Sequence, residues 1–121
     1  MEKVTNLQIG DWVSHPYDTH IENAIKIDWI RAGEIGFFHH GLHYTVSIDW
    51  ILPAPLTPEI LAKNGWWQDE IDGTYHNTIS VYGRKAPFSI LDGVVINYVH
   101  QLQHALRLCG LDDLANNFQI G

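Results

Sequence analysis

The stretch that decides the fold covers residues 35–48 and has the sequence IGFFHHGLHYTVSI. Apolar side chains alternate with other side chains on both sides of residues 40–41, which is typical of two half-buried strands joined by a tight turn. A two-residue turn there places Phe37 opposite Tyr44. The stretch therefore predicts an antiparallel hairpin with one core face. That face carries Ile35, Phe37, His39, Leu42, Tyr44 and Val46.

The residues before this hairpin predict another strand, because Ile25, Ile27 and Trp29 occur at every second position. A three-residue loop at residues 32–34 places Ile27 and Trp29 on the core face of the hairpin. A two-residue loop moves both to the opposite face, since a slip of one residue reverses every side chain. We favour the three-residue loop, which predicts an SH3-like, three-stranded meander with a bulged first turn.

Shorter elements are predicted around this meander. Residues 7–13 predict a turn that leads into a first strand, and the proline-containing residues 51–56 predict an extended connector. Thr57-Pro58-Glu59 is typical of the start of a helix, and Asn64-Gly65 is typical of its end. The first half of the chain is thus predicted to be mostly β-structure, followed by a short helix.

The second half predicts two hairpins, over residues 66–82 around Asp72-Gly73 and over residues 87–96 around Asp92-Gly93. A final helix over residues 98–109 has an apolar stripe centred on Leu102. The predicted fold class is therefore α+β: an N-terminal SH3-like antiparallel β-meander, a short helix, further β-hairpins and a C-terminal amphipathic helix. We expect one domain over residues 1–121, with two lobes (1–52 and 57–121) joined by the proline-rich connector as the alternative.

Composition limits the classes of partner. The net charge is −7, from 7 basic and 14 acidic residues, and the basic residues are scattered. This disfavours a nucleic-acid polymer and an anionic membrane surface, although it permits one small ligand. The single cysteine, Cys109, fits a reducing compartment. Residues 1–10 contain no long apolar stretch, so no signal peptide is expected, and no apolar run approaches the length of a membrane span. We expect a cytoplasmic protein.

Histidine is enriched, with eight in 121 residues. His39 and His43 are predicted on opposite faces of the hairpin and so cannot hold one ion; a longer loop would let His40 and His43 converge. We therefore predict that His40 and His43 are polar residues at the hairpin tip, available for binding or interface contacts. No bound metal is predicted.

The polar face of the final helix is the strongest predicted interface. His100 and His104 share one helix face, and Gln101 replaces the glutamate of the zinc-protease pattern. Arg107 supplies the only formal charge of that face. Such a face suits contact with another subunit, a partner or the N-terminal sheet, and a neutral solvent-exposed face is the alternative. The predicted interface comprises His100, Gln101, Gln103, His104 and Arg107.

The predicted hairpin over residues 66–82 contains two further candidate features, a histidine opposite an aspartate and a pair of tryptophans. His76 is predicted opposite Asp69, which resembles part of a catalytic triad, but a cross-strand surface pair is the favoured interpretation. Trp66 and Trp67 are consecutive, so one is predicted in the core and the other, Trp67, as an exposed platform or interface anchor. Nucleotide-binding, nucleophile-elbow and paired-cysteine motifs are absent from the sequence. No catalytic residue and no cofactor are predicted.

Three segments together resemble a known family: residues 7–13 (LQIGDWV), residues 55–66 (PLTPEILAKNGW) and residues 98–103 (YVHQLQ). They are similar to a family of short uncharacterised proteins from gut bacteria, their phages and mobile elements. The resemblance spans most of the chain in order, and the YVHQLQ segment is its most specific part. It carries over no catalytic residues and implies an accessory or host-interaction role.

These observations favour a small non-enzymatic binding or interaction module with a protein partner or self-association. One alternative is a phage counter-defence protein that sequesters a small nucleotide signal through its aromatic and histidine side chains. The other is a metal-dependent hydrolase that uses the histidines.

Overall fold

Ten strands and three α-helices follow one another along the part of the chain that the computed structural model describes, residues 6–15, 24–39, 41–84, 87–90 and 93–120. The strands are β1 (Trp12–Ser14), β2 (Ala24–Lys26), β3 (Trp29–Arg31), β4 (Glu34–His39), β5 (Leu42–Ser47), β6 (Leu52–Pro53), β7 (Trp67–Gln68), β8 (Tyr75–His76), β9 (Phe88–Ile90) and β10 (Val94–Ile96). The helices are α1 (Pro58–Lys63), α2 (Val99–Leu108) and α3 (Asp112–Asn116), and a 3-10 turn covers Ile48–Trp50. The predicted α+β class is confirmed. No helix among the described residues is long and apolar enough to cross a bilayer.

The chain divides into two units, Met1–Ala54 and Pro55–Gly121. In the first unit, β2-β1-β6 form one small antiparallel sheet and β3-β4-β5 form another. The β4–β5 register is the predicted one, with Phe37 paired with Tyr44 and Ile35 with Val46. The buried cluster of this unit contains Val13, Ile25, Ile27, Ile35, Phe37 and Ile51.

The predicted length of the loop before β4, three residues, is wrong. Arg31 pairs with Glu34, so the β3–β4 turn has two residues, and Trp29 pairs with Gly36 on the face opposite Phe37. Ile27 is nevertheless buried. The reason is that the strand predicted before this loop is broken after Lys26: β2 pairs with β1, and β3 pairs with β4. The irregular residues between β2 and β3 interrupt the strand alternation, so Ile27 and Trp29 do not lie on the same face.

In the second unit, α1 begins and ends where the sequence predicted. The Thr57 hydroxyl accepts a hydrogen bond from the Ile60 N–H at 3.2 Å. Pro58 occupies the first helical turn. At the other end, Gly65 has a φ of +91°, a left-handed conformation in which glycine is favoured because it has no Cβ. Local sequence signals are thus sufficient to define this helix.

The register of the β7–β8 hairpin differs from the prediction. Trp67, not Asp69, pairs with His76. The Asp69 N–H donates to the Thr74 carbonyl, and the Gly73 N–H donates to the Asp69 carbonyl, both at 2.8 Å. The loop over residues 70–73 is therefore two residues longer than the predicted Asp72-Gly73 turn.

Helix α2 is one residue shorter at each end than the predicted helix, and it buries Val99, Leu102 and Leu106. Gly110, at φ +77°, ends it. There the Leu111 N–H donates to the Leu106 carbonyl at 2.8 Å, as in a Schellman motif. Cys109, which lay at the end of the predicted helix, is exposed. Helix α3 follows directly and was not predicted.

Candidate functional site

The candidate site is the sheet face of β3-β4-β5 that points away from the buried cluster. Because side chains alternate along strands, Gly36 and Phe38 share this face with their partners in the neighbouring strands. Trp29 pairs with Gly36, and His43 pairs with Phe38. We call Trp29, Arg31, Gly36, Phe38 and His43 the aromatic face.

Trp29 is held in place on three sides. Its indole lies directly against Gly36, where a β-carbon would overlap the ring. Its Nε1–H donates a hydrogen bond to His43 Nε2. The Arg31 guanidinium carbon lies 4.7 Å from the ring centroid, within the range of a cation–π contact. The indole is therefore fixed before any partner arrives.

His43 connects the two large aromatic side chains. Its ring stacks on Phe38 with centroids 4.7 Å apart, and its centroid lies 5.5 Å from that of Trp29. His43 Nε2 also accepts the hydrogen bond of the Trp29 indole, so this histidine contacts both aromatic side chains. The nearest Asp28 oxygen is 3.8 Å from Nε2, which is beyond hydrogen-bond distance.

A shallow groove of about 540 Å³ runs beside these rings. It is lined by Trp29, Ile30, Arg31, Glu34, His43 and Thr45. Phe38 is 62% exposed, although burial of a phenylalanine side chain away from water is energetically favourable. The aromatic face and the adjoining groove thus combine an exposed apolar ring with the charged side chains of Arg31 and Glu34, which are features of a protein-binding surface.

We predict that Gly36→Ala displaces the Trp29 indole, because the new methyl group would occupy the space of the ring. The indole N–H signal of Trp29 in a two-dimensional NMR spectrum should then move strongly as its hydrogen bond to His43 is lost. Thr45→Ala is the matched control, since Thr45 pairs with Gly36 and the substitution only removes atoms. An unchanged Trp29 signal in Gly36→Ala would contradict this geometry.

Three predicted binding residues lie outside helix α2. His43 is part of the aromatic face, whereas His40 lies outside the described residues. Trp67 belongs to the second unit and is 60% exposed, with its ring centroid 4.8 Å from that of His76. Trp66 is only 3% exposed, so the prediction of one buried and one exposed tryptophan is confirmed.

Two glutamines of the predicted α2 interface are engaged within the second unit. Gln101 Oε1 accepts hydrogen bonds from the N–H groups of Asn97 at 2.7 Å and Tyr98 at 3.1 Å, and so caps the start of α2. Gln103 is fully buried, and its Nε2 donates to the Ala115 carbonyl of α3 at 3.0 Å. The low charge of this helix face therefore has an explanation inside the unit.

The remaining residues of that interface form a looser group. His100 is buried, with its ring 5.6 Å from that of His104. Arg107 Nη2 lies 3.5 Å from the Asn116 amide oxygen. Contact of this face with another molecule stays a prediction, and helix α3 covers part of it.

Sequence reasoning missed Trp29, Arg31 and Phe38 as site residues. The signal that would have identified them was Gly36 within a strand, since glycine there often marks the close approach of another group. A comparison of the chain with family models, curated proteins and solved structures found no match.

Proposed function

We propose that this protein is a small non-enzymatic interaction module and that the aromatic face binds a protein partner. The observation that carries the proposal is the exposed Phe38 ring, stacked on a histidine that is itself hydrogen-bonded to a fixed tryptophan. Exposed aromatic residues beside an arginine are typical anchors of protein interfaces. Little side-chain freedom remains to be lost on binding, because the neighbours of Phe38 are already ordered.

A small nucleotide is a less suitable ligand for this face. A nucleotide base is usually held by stacking between two aromatic rings, and each ring must have a face that is free to receive the base. Arg31 already lies over the Trp29 ring, and one surface of Phe38 is taken by His43. These contacts favour a protein over a base as the occupant of the aromatic face.

We further propose an accessory, host-interaction role in the cytoplasm of a bacterium that carries a phage or mobile element. The support is the family resemblance of the segments LQIGDWV, PLTPEIL and YVHQLQ. An SH3-like arrangement of the N-terminal strands belongs to the same proposal.

Photo-crosslinking tests the binding role. A benzoylphenylalanine at position 38 should yield one discrete adduct with a bacterial host protein, whereas the same group at position 42 should yield little. Leu42 is the matched control because it is 61% exposed in the same hairpin but alternates to the other sheet face. With the partner purified, Phe38→Ser should weaken binding by about 2 kcal/mol, roughly 30-fold.

Equal adducts from positions 38 and 42, or no adduct from position 38, would contradict the proposal. An adduct with twice the 13.8 kDa mass of the chain would identify a second copy as the partner instead.

A further inference from the structure

The loop between β7 and β8 brings three metal-ligating side chains together. One ligand atom each from Asp69, Asp72 and His76 lie within 4.8 Å of one another. The predicted two-residue turn did not assemble this set, because it paired Asp69 with His76 and left Asp72 in the turn itself. The longer loop is therefore what brings the second carboxylate to the imidazole.

The two carboxylates are positioned by the backbone of the loop. Asp69 Oδ1 accepts the Ile71 N–H, and Asp72 Oδ1 accepts the Thr74 N–H, each at 2.8 Å. These hydrogen bonds hold both carboxylates in place near the imidazole.

The imidazole is oriented by residues that do not belong to the cluster. Ser80 Oγ lies 3.1 Å from His76 Nδ1, and the Trp67 ring packs beside the imidazole. A hydrogen bond at one ring nitrogen fixes the ring and leaves the other nitrogen, Nε2, as a ligand. Metal-binding histidines are held by this kind of outer contact, which an acidic surface loop alone does not provide.

We propose that Asp69, Asp72 and His76 bind one divalent first-row transition ion of the Mn²⁺–Zn²⁺ class. Two carboxylates with one imidazole suit such ions, whereas Ca²⁺ takes oxygen ligands only. The expectation that the chain holds no metal was based on His39 with His43 and on His100 with His104, not on this set. The ion would tie the loop over residues 70–73 to β8 and rigidify the hairpin that carries the exposed Trp67.

Calorimetric titration of the full chain, prepared without a histidine tag, tests the proposal with Zn²⁺ as the probe. Wild type should bind one equivalent, and His76→Gln and Asp72→Asn should each weaken binding by about tenfold or more. His39→Gln and Asp112→Asn are the matched controls, since neither residue belongs to the cluster, and they should bind as wild type does. Absence of a stoichiometric site in wild type, or equal weakening by the controls, would overturn the proposal.

Two NMR measurements separate lost ligands from lost structure. Spectra of the metal-free variants should retain the wild-type dispersion outside residues 69–76. In wild type, Zn²⁺ should shift the Nε2 resonance of His76, and substoichiometric Mn²⁺ should broaden the amide signals of residues 69–76 before any others. Broadening centred on another histidine would count against this site.

Discussion

Trp66→Ala is expected to lower the free energy of unfolding of the second unit by about 3–5 kcal/mol. Trp66 is 3% exposed, and its ring lies 6.1 Å from that of Phe118, which is fully buried. Its indole N–H also donates to the Ile79 carbonyl at 3.0 Å. The substitution would remove a large buried ring and leave that carbonyl without its donor, and both changes are destabilising.

The neighbouring Trp67 provides a control of identical chemistry. Trp67→Ala should lower the free energy of unfolding by less than about 1 kcal/mol. The Trp67 side chain is 60% exposed, and its removal mainly eliminates the ring contact with His76. Urea denaturation followed by far-ultraviolet circular dichroism measures both variants without depending on tryptophan fluorescence. Comparable losses for the two substitutions would contradict the burial described for the pair.

The β4–β5 hairpin was predictable because its signals agree. Its apolar residues alternate over both strands, and Gly41, at φ +78°, supplies a turn conformation that other residues avoid. The preceding strand was not predictable in the same way. A break between β2 and β3 leaves Ile27 in the core but turns Trp29 to the outer face, and periodicity alone does not reveal such a break.

The candidate site shows the same limit. His43 was selected from the sequence, but its partners depend on the β3–β4 register, which differed by one residue from the prediction. The proposed metal site depends on a loop two residues longer than the Asp72-Gly73 signal indicated. The residues that meet at each site therefore depend on the length of a turn. Local sequence propensity predicts turn lengths less well than it predicts the presence of strands and helices.

Helix α3 covers part of the polar side of α2, and the sequence patterns did not predict it. It spans only five residues, too few for a recognisable apolar period, so no sequence pattern predicted a helix packed over Gln103. The side-chain amide of Gln103 donates a hydrogen bond to the carbonyl of Ala115 within α3. A polar residue on the supposed outer face of an amphipathic helix can thus be a buried, hydrogen-bonded contact.

Leu102, the predicted centre of the apolar stripe of α2, is buried, and Leu102→Ala tests its contribution. Leu102 is fully buried, so the loss of its side chain should lower the free energy of unfolding by about 2–5 kcal/mol. Leu108→Ala, in the same helix, is the matched control: Leu108 is 89% exposed, and its replacement should change stability by no more than about 0.5 kcal/mol. Both substitutions alter helix propensity equally, so the difference between them measures burial alone. Urea denaturation gives that difference directly, and a value near zero would mean that Leu102 does not lie in the core of the second unit.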